Sequence, residues 1–546
     1  MNSPAFVNIA VHLPEMARRQ PDTPAIIFPR GNRRLTFREL NALSDRIAHG
    51  LVRNGIGRGA RTVLMVTPGP EFFALTFALF KVGAVPVLID PGLGVRNLKS
   101  CIADAEPHAF IGIPRAHAAR LLFGWGKGTL RTLITVGTRL CWGGTTLATL
   151  ARHAERYLPF PLAPTERDET AAILFTSGST GPPKGAVYTH GNFAAQVEAL
   201  RRVYGIEPGE IDLPTFPLFA LFAPALGMTA VIPEMDFTRP GSVSPRRIIT
   251  AIQTYGATTM FGSPALINRV GRYGAKRGVK LPTLRRVISA GAPVPASVME
   301  RFGTMLNPGV DIFTPYGATE ALPVCSIGSR EILGETRTIS EAGGGVCIGR
   351  PVQGIRLEVI AISDGPIPVW SDQLRVPRGQ IGELVVQGAQ VTREYYNRPE
   401  ADLLAKIADP ESGSFFHRMG DLGGMDEAGR VWFCGRKSHR VETADGPLYT
   451  IPCEAVFNTH PAVFRTALVG VGERGKQLPV LWVELEKGGQ ANREDIRREL
   501  LALGSGYIHT QPIVTILFHP AFPVDIRHNA KIFREKLARW AARELS

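Results

Sequence analysis

The chain is poor in cysteine. Its 546 residues include six, and these lie far apart: Cys101, Cys141, Cys325, Cys347, Cys434 and Cys453. They form no Cys-x-x-Cys pair and no Cys/His cluster with zinc-finger spacing, which excludes a disulfide-framework protein and a zinc-finger protein. We interpret them as reduced thiols, as in a cytoplasmic protein.

The chain also lacks blocks of like charge. It has 62 Lys and Arg residues against 48 Asp and Glu, a net charge of +14 that by itself favours a polyanionic partner. The basic residues instead occur as scattered pairs, such as Arg18-Arg19 and Arg497-Arg498, with no run of five. We therefore predict solvated faces and no nucleic-acid partner. Weak attraction to an anionic membrane or to an acidic partner subunit remains a hypothesis.

Long apolar runs are scarce as well. Residues 213–233 are uncharged and just long enough to span a membrane. Pro214, Pro217 and Pro224 interrupt this stretch, and each proline removes a backbone donor and obstructs the preceding helical turn. We predict a buried element that lines the core or an apolar pocket, with no transmembrane segment. The N-terminal residues carry no signal-peptide pattern, so a cytoplasmic location is expected.

The remaining composition is that of a folded protein, with 44% hydrophobic and 20% charged residues. The first part of the chain alternates helix-like stretches, such as 36–55, with short apolar runs at 61–66 and 84–90. This alternation predicts an α/β fold with parallel sheets covered by helices. Ligands of such sheets bind at the carboxyl ends of the strands.

The character of the sequence changes twice further on. Residues 343–435 are rich in Gly and Val and predict a β-barrel-like subdomain. After Arg436 a polar loop leads into a small α+β segment with an amphipathic helix near 493–503. We predict two domains, a large one at residues 1–436 and a small one at 437–546.

A loop rich in small and hydroxyl residues follows the strand-like residues 171–175. Small residues let backbone N–H groups approach an anion, hydroxyls add donors, and a lysine adds a point charge, so the loop predicts a phosphate-binding site. Proline in front of the lysine, with no Ser or Thr after it, excludes a Walker A loop. The run is Thr176, Ser177, Gly178, Ser179, Thr180, Gly181, Pro182, Pro183, Lys184 and Gly185.

With this loop the sequence resembles the adenylate-forming superfamily of acyl-CoA synthetases, peptide-synthetase adenylation domains and luciferases. Further motifs of that superfamily follow in order over nearly the whole chain: Ser289-Ala290-Gly291-Ala292-Pro293, Tyr316-Gly317-Ala318-Thr319-Glu320, Gly420-Asp421 and Gly435-Arg436.

The resemblance implies a role for each motif. Gly291, Ala292 and Pro293 would line the adenine, and Tyr316, Gly317, Ala318 and Thr319 would stack on it. Asp421 would accept hydrogen bonds from the ribose hydroxyls near Arg436. Glu320, with Thr176, would hold Mg²⁺.

Lys531 lies where the superfamily has its catalytic lysine. The surrounding residues predict a helix that begins at Asn529 and places Phe533, Leu537, Trp540 and Ala541 on one face. A cation in the first turn of a helix opposes the helix dipole, so function explains Lys531 better than stability does.

The implied reaction is formation of an acyl adenylate. A substrate carboxylate attacks the α-phosphorus of ATP, and pyrophosphate leaves. Lys184, Lys531 and the hydroxyl-rich loop would offset the charge that develops on the phosphate oxygens.

Departures from the superfamily pattern concern the second half-reaction. Ser438-His439 stands where thioester-forming relatives carry an acidic hinge residue, and residues 440–446 replace the loop that lies beside the pantetheine arm of CoA. Ala220 replaces a frequent histidine and Met419 a frequent threonine. These changes argue against a CoA tunnel and for an unusual acyl pocket.

The amino-acid sequences of several segments resemble one branch of the superfamily in particular, among them FGSPALINRVGRYG and WFCGRKSHRVET. That branch comprises the β-lactone synthetases of bacterial long-chain olefin biosynthesis. It implies adenylation of a 2-alkyl-3-hydroxyalkanoic acid, closure by the 3-hydroxyl to a β-lactone, and a complex with other enzymes of that pathway. Because the attacking 3-hydroxyl belongs to the substrate and lies close to the acyl carbon, ring closure needs no CoA.

Several points stay open. His190 and His439 are candidates for the base of ring closure, although either can be structural. The residues around Phe216, Phe219, Phe222 and Leu226 form an alkyl-chain wall or ordinary core. The alternative enzyme is a long-chain acyl-CoA or acyl-carrier ligase, and the alternative of another class is an inactive scaffold or nucleic-acid-binding relative.

Overall fold

The computed structural model describes residues 6–152, 158–176, 182–486, 492–524 and 532–546. The strands, in chain order, are β1 Pro24–Phe28, β2 Arg33–Thr36, β3 Arg61–Met65, β4 Val85–Ile89, β5 Ala109–Gly112, β6 Thr132–Thr135, β7 Thr145–Thr146, β8 Thr170–Thr176, β9 Lys184–Thr189, β10 Ile211–Pro214, β11 Thr229–Val231, β12 Thr259–Phe261, β13 Arg286–Ile288, β14 Ile312–Ala318, β15 Ala321–Gly328, β16 Val346–Pro351, β17 Ile355–Ile360, β18 Gly382–Gly388, β19 Lys406–Asp409, β20 Ser414–Met425, β21 Val431–Arg436, β22 Val441–Thr443, β23 Gly446–Leu448, β24 Val463–Val471, β25 Leu478–Leu485 and β26 Thr515–Phe518.

The α-helices are α1 His12–Arg19, α2 Phe37–Arg53, α3 Pro70–Lys81, α4 Val95–Ala105, α5 Pro114–Phe123, α6 Leu147–Arg152, α7 His190–Tyr204, α8 Pro217–Ala220, α9 Phe222–Leu226, α10 Pro245–Tyr255, α11 Pro264–Lys276, α12 Ala296–Gly303, α13 Ser329–Glu331, α14 Arg337–Glu341, α15 Pro399–Ala405, α16 Thr450–Phe457, α17 Arg493–Ser505 and α18 Arg534–Leu545.

Two large sheets form the body of the molecule. The first has seven strands in the order β7-β6-β5-β3-β4-β8-β9, and all its pairs are parallel except the β8–β9 hairpin. The second has fourteen strands, and β10 to β14 give it a parallel centre. The predicted α/β fold with parallel sheets is therefore confirmed.

Local sequence signals explain the helices that cover these sheets. Helix α2 begins at Phe37 because Thr36 and Glu39 form a capping box, in which each side chain accepts from the other residue's backbone N–H. Helix α3 is apolar on nearly all sides, and its interior is buried between the sheets.

The Gly- and Val-rich region of residues 343–435 forms strands, as its composition predicted, and the structure shows that they pair antiparallel. Strands β16 to β21 pair with one another and join the large sheet through the β15–β16 pair. The site motif that contains Asp421 therefore lies on a strand of the same sheet as the motif that contains Tyr316.

The C-terminal part has a three-stranded sheet of its own, ordered β24-β25-β26. Trp482 is fully buried between this sheet and α18, and its indole N–H donates to the carbonyl of Leu537 at 3.0 Å. Helix α18 begins at Arg534. The prediction of a helix start at Asn529 was wrong, because Ile532 pairs with Val524 as a β-bridge before the helix begins.

The apolar residues 213–233 fold into β10, the short helices α8 and α9, and β11, in agreement with the predicted buried element. Within the described residues, no helix is long and apolar enough to cross a membrane. Each of the six cysteines is a free thiol.

Candidate active site

The phosphate-binding loop predicted from sequence starts and ends on paired strands. Thr176 at the end of β8 pairs with Lys184 at the start of β9, and β9 is an edge strand of the seven-stranded sheet. Ser177, Gly178, Ser179, Thr180 and Gly181 lie outside the described residues, as does Lys531.

Two neighbouring strands of the large sheet carry the predicted adenine motifs. The segment Gly291-Ala292-Pro293 follows β13, and Gly291 has a φ of +98°, a left-handed conformation that favours glycine. Residues 316–319 lie on β14 and directly after it. A Cβ on Gly317 would lie 2.6 Å from the carbonyl oxygen of Ala321, so only glycine fits there.

Tyr316, Asp421 and Arg436 converge from three strands. The Tyr316 hydroxyl donates to Asp421 Oδ2 at 2.6 Å, and Arg436 Nη1 lies 3.0 Å from Asp421 Oδ1. Burial, and then the Asp421 carboxylate, raise the pKa of Tyr316 well above its usual value, which keeps the hydroxyl a donor. The carboxylate likewise raises the pKa of Arg436. The group offers an aromatic ring and a fixed carboxylate side by side.

Glu320 is held by a residue that sequence analysis missed. The hydroxyl of the buried Tyr395 donates to Glu320 Oε1 at 2.7 Å. Lys184 Nζ lies 5.0 Å and Lys406 Nζ 5.7 Å from the centroid of the Tyr395 ring. Tyr395 therefore links the lysine of the phosphate loop to the predicted metal ligand. The nearest signal in the sequence is Pro399, the first residue of helix α15, four positions after Tyr395.

Lys406 is the other missed residue of this group. Burial lowers its pKa to about 8, although Glu320 and Asp402 oppose that shift. Its ammonium also donates to the carbonyl of Thr392. Nothing in the spacing of the sequence places Lys406 beside Glu320, because β19 lies far along the chain and pairs with β20.

The donor set suits Mg²⁺ bound together with phosphates. The described residues contain no group of three His, Cys, Asp or Glu side chains able to hold a metal ion. Mg²⁺ in nucleotide sites commonly takes only one or two carboxylates plus phosphate oxygens and water. Glu320 supplies such a carboxylate, fixed by one hydrogen bond.

An apolar cavity opens beside the adenine motifs. Ala290 of the first motif and Pro315, which precedes Tyr316 of the second, line it. Phe219, Phe222 and Leu226 form part of its wall. Three of the four residues that could form either an alkyl-chain wall or ordinary core therefore line an apolar cavity. The fourth, Phe216, packs edge-on against Phe219 with ring centroids 5.1 Å apart.

Neither histidine proposed as a base lines this cavity. His190 is fully buried, and its Nδ1 accepts the backbone N–H of Ile9 at 3.2 Å. Burial lowers the pKa of His190 to about 4, in keeping with a structural role. His439 lies 3.5 Å from Glu535 of α18.

The segment after Arg436 is a short ordered hairpin, β22–β23. Arg440 bonds Asp364 and Glu442 at 2.7 Å each, and Arg474 bonds the same two carboxylates. Arg440 and Glu442 belong to residues 440–446, which replace the pantetheine-side loop in the resemblance to thioester-forming relatives. Ala220 and Met419, the two other departures, are both buried.

The fourteen-stranded sheet carries the predicted adenine motifs and the fixed carboxylate, and the run of phosphate-binding type lies between β8 and β9 of the seven-stranded sheet. Together these features define a nucleotide-binding enzyme of the adenylate-forming class. The sequence matches the family described as AMP-binding enzyme over residues 13–396, and the chain belongs to that family.

Two bacterial relatives match the whole chain. An olefin beta-lactone synthetase of Stenotrophomonas maltophilia is 52% identical and covers 100% of this chain and 99% of its own. An olefin beta-lactone synthetase of Xanthomonas campestris pv. campestris is 51% identical, with 98% of each chain covered.

Solved structures share the fold at lower identity. The amide bond synthetase McbA from Marinactinospora thermotolerans is 21% identical with a TM-score of 0.81, over 98% of this chain and 99% of its own. ATP-bound MatB from Rhodopseudomonas palustris, also 21% identical, has a TM-score of 0.80 over 99% and 100%.

Proposed function

We propose that the protein is an AMP-forming ligase that converts a long-chain 2-alkyl-3-hydroxyalkanoic acid into a β-lactone at the expense of ATP. The observation that carries the proposal is the full-length identity of 52% with a relative of that activity, together with an apolar cavity that meets the adenine motifs. The protein is thereby an olefin β-lactone synthetase.

The first half-reaction makes the acyl adenylate. Tyr316 stacks on adenine, and Asp421, fixed by Tyr316 and Arg436, accepts from the ribose hydroxyls. Thr176, Ser177, Gly178, Ser179, Thr180, Gly181 and Lys184 bind the phosphates. Glu320 and Thr176 would hold Mg²⁺, which when bound would neutralise charge on the phosphate oxygens. Lys531 stabilises the charge that develops as pyrophosphate leaves.

The second half-reaction is intramolecular. The substrate's 3-hydroxyl oxygen attacks the acyl carbon, its proton goes to a base or to water, and AMP departs with the electron pair of the broken C–O bond. Holding the hydroxyl in a near-attack pose can lower the barrier by up to about 7–11 kcal/mol. The ion-paired hairpin after Arg436 suits an enzyme that admits no pantetheine arm.

The proposal includes a domain boundary and a motion. Residues 1–436 bind ATP and the acid, and residues 437–546 form a cap that carries Lys531. The separate three-stranded sheet of the C-terminal part supports this division. Rotation of the cap then brings Lys531 to the phosphates for adenylation.

Location and partners follow from the proposed pathway. We place the enzyme in the cytoplasm, in contact with other enzymes of olefin biosynthesis and weakly with anionic membranes. Retention of binding to anionic vesicles at high salt would contradict an electrostatic attraction.

The test supplies ATP, Mg²⁺ and a 3-hydroxy acid without CoA and identifies the products by NMR. We expect a β-lactone, AMP and pyrophosphate. The matched acid without the 3-hydroxyl should give no lactone. Turnover only when CoA is added, with accumulation of a thioester, would overturn the proposal in favour of an acyl-CoA ligase. Absence of pyrophosphate release with every carboxylic acid tried would leave an inactive relative.

A further inference from the structure

One polar side chain faces the apolar cavity without a partner. Asp212 of β10 lines the cavity together with aliphatic and aromatic residues, and it is 9% exposed. No hydrogen bond from any described residue reaches its carboxyl. A buried carboxyl without a donor is costly, so its position against apolar walls calls for an explanation.

The neighbouring charges are already paired with each other. Arg286 of β13 binds Glu210 through both terminal nitrogens, at 2.5 and 3.1 Å, and also donates to Thr259 at 2.7 Å. The Arg286 guanidinium therefore lies near Asp212, but its hydrogen bonds go to Glu210 and Thr259. Burial raises the pKa of Asp212 to about 7, because the effect of Arg286 is smaller and Glu210 acts in the opposite direction.

Strand register gives the depth of Asp212 in the cavity. Asp212 pairs with Thr259, which pairs with Arg286, so these three side chains share one level and one face of the sheet. Phe261 and Ile288 form the next level on the same face, and Ala290 lies one level further, at the adenine motif. Asp212 thus belongs to the deepest level of sheet residues that line the cavity.

The distance between the first and last levels can be estimated from strand geometry. Ala290 is four residue steps after Arg286, which at about 3.3 Å per step is about 13 Å. An extended chain spans that distance with roughly ten bonds. An alkyl chain that enters beside Ala290 therefore meets Asp212 after roughly ten carbon atoms.

We propose that Asp212 is a specificity-determining residue that limits the length of the alkyl chain accepted by this cavity. The assignment rests on the proposed function only in that an acyl chain occupies the cavity. Each methylene group that contacts the apolar walls makes the binding free energy more favourable. A chain that reaches Asp212, however, displaces the water that can hydrate the carboxyl and offers no hydrogen bond in its place. Longer chains are therefore disfavoured by polarity and not by volume alone.

The experiment uses acids in which the 2-alkyl group or the chain beyond C3 is lengthened in turn, with pyrophosphate release as the readout. For one of the two chains, kcat/KM of the wild-type enzyme should rise about four-fold per methylene and then fall. Asp212→Leu should continue the rise for at least two further methylenes, a gain of about sixteen-fold or more for the longest acid. Asp212→Phe places a bulky ring at the deep end of the cavity and should move the optimal chain length to shorter chains.

Asp212→Asn is the matched control for charge. It keeps the size and polarity of the side chain, so at pH 6, where the Asp212 carboxyl is mostly protonated, its length optimum should stay that of the wild type. The other ionisable groups that face Asp212 are Glu210 and Arg286, which are paired, and Tyr204 of α7, whose pKa is raised to about 12. Between pH 6 and pH 8 only Asp212 among these four changes charge.

The pH profile separates this role from a structural one. As the pH rises from 6 to 8 the Asp212 carboxyl ionises, so kcat/KM for long acids relative to short acids should fall about ten-fold in the wild type. In Asp212→Asn that ratio should stay constant. Thermal unfolding identifies any variant that does not fold, and Asp212→Asn then carries the test by itself.

Identical length optima in wild type, Asp212→Leu and Asp212→Phe would overturn the assignment, as would a pH-independent ratio in the wild type. Failure of the proposed function gives a different result, since pyrophosphate release precedes the step that distinguishes lactone from thioester. If no acid is turned over, calorimetric affinities of the same acids should follow the same order, and a monotonic rise with length in the wild type would contradict the proposal.

Discussion

The hydrogen bond from Tyr395 to Glu320 leads to a quantitative prediction about the Mg²⁺ requirement of adenylation. Tyr395→Phe removes one oxygen from a buried ring and leaves the ring between Lys184 and Lys406. A hydrogen bond to a charged acceptor contributes about 1.5–3 kcal/mol. If Glu320 holds Mg²⁺, the Mg²⁺ concentration for half-maximal adenylation should therefore rise about ten-fold to a hundred-fold.

The assay is ATP–pyrophosphate exchange as a function of Mg²⁺ at saturating acid. Tyr188→Phe is the matched control, because that buried hydroxyl donates to the backbone carbonyl of Thr319, next to Glu320, rather than to a carboxylate. The control should stay within about three-fold of the wild type, as expected for a neutral hydrogen bond. A folded Tyr395→Phe protein with an unchanged Mg²⁺ requirement would refute the link between Tyr395 and the metal.

Two further predictions concern adenylation and stability. Lys531→Ala should reduce pyrophosphate release by at least a hundred-fold with an unchanged melting temperature, and unchanged release would reject Lys531 as the adenylation lysine. The stability of the protein should fall as the pH drops from about 6.5 to about 4, because His190 must stay neutral to accept from Ile9 while the unfolded chain gains a proton. In His190→Asn, whose amide oxygen can replace Nδ1, urea unfolding should show up to about 3 kcal/mol less change over that range, and an equal change would exclude His190 as its source.

Much of the fold followed from local patterns in the sequence. Helix α2 and strands β3 and β4 lie where the helix-like stretch 36–55 and the apolar runs 61–66 and 84–90 predicted them. The start of α18 was mispredicted because Asn529 resembles a cap, whereas the pairing of Ile532 with Val524 is a contact that no local pattern contains.

The candidate site was likewise predicted only in part. Tyr316 and Asp421 were identified from motifs, and the sheet brings them to 2.6 Å although 105 residues separate them. Tyr395, Lys406 and Asp212 were missed because their significance comes only from neighbours: a carboxylate, an aromatic ring and an apolar wall contributed by distant strands. A polar residue in a strand carries no sign in the sequence that it faces a cavity.

The most direct measurement follows oxygen atoms through the reaction. The central claim is that the carboxylate is adenylated and the 3-hydroxyl closes the ring. With both carboxylate oxygens of the acid labelled as ¹⁸O, mass spectrometry should then find one ¹⁸O in AMP and one in the lactone carbonyl. A lactone that keeps both labels, together with unlabelled AMP, would mean that the 3-hydroxyl is the activated group, and would contradict the account.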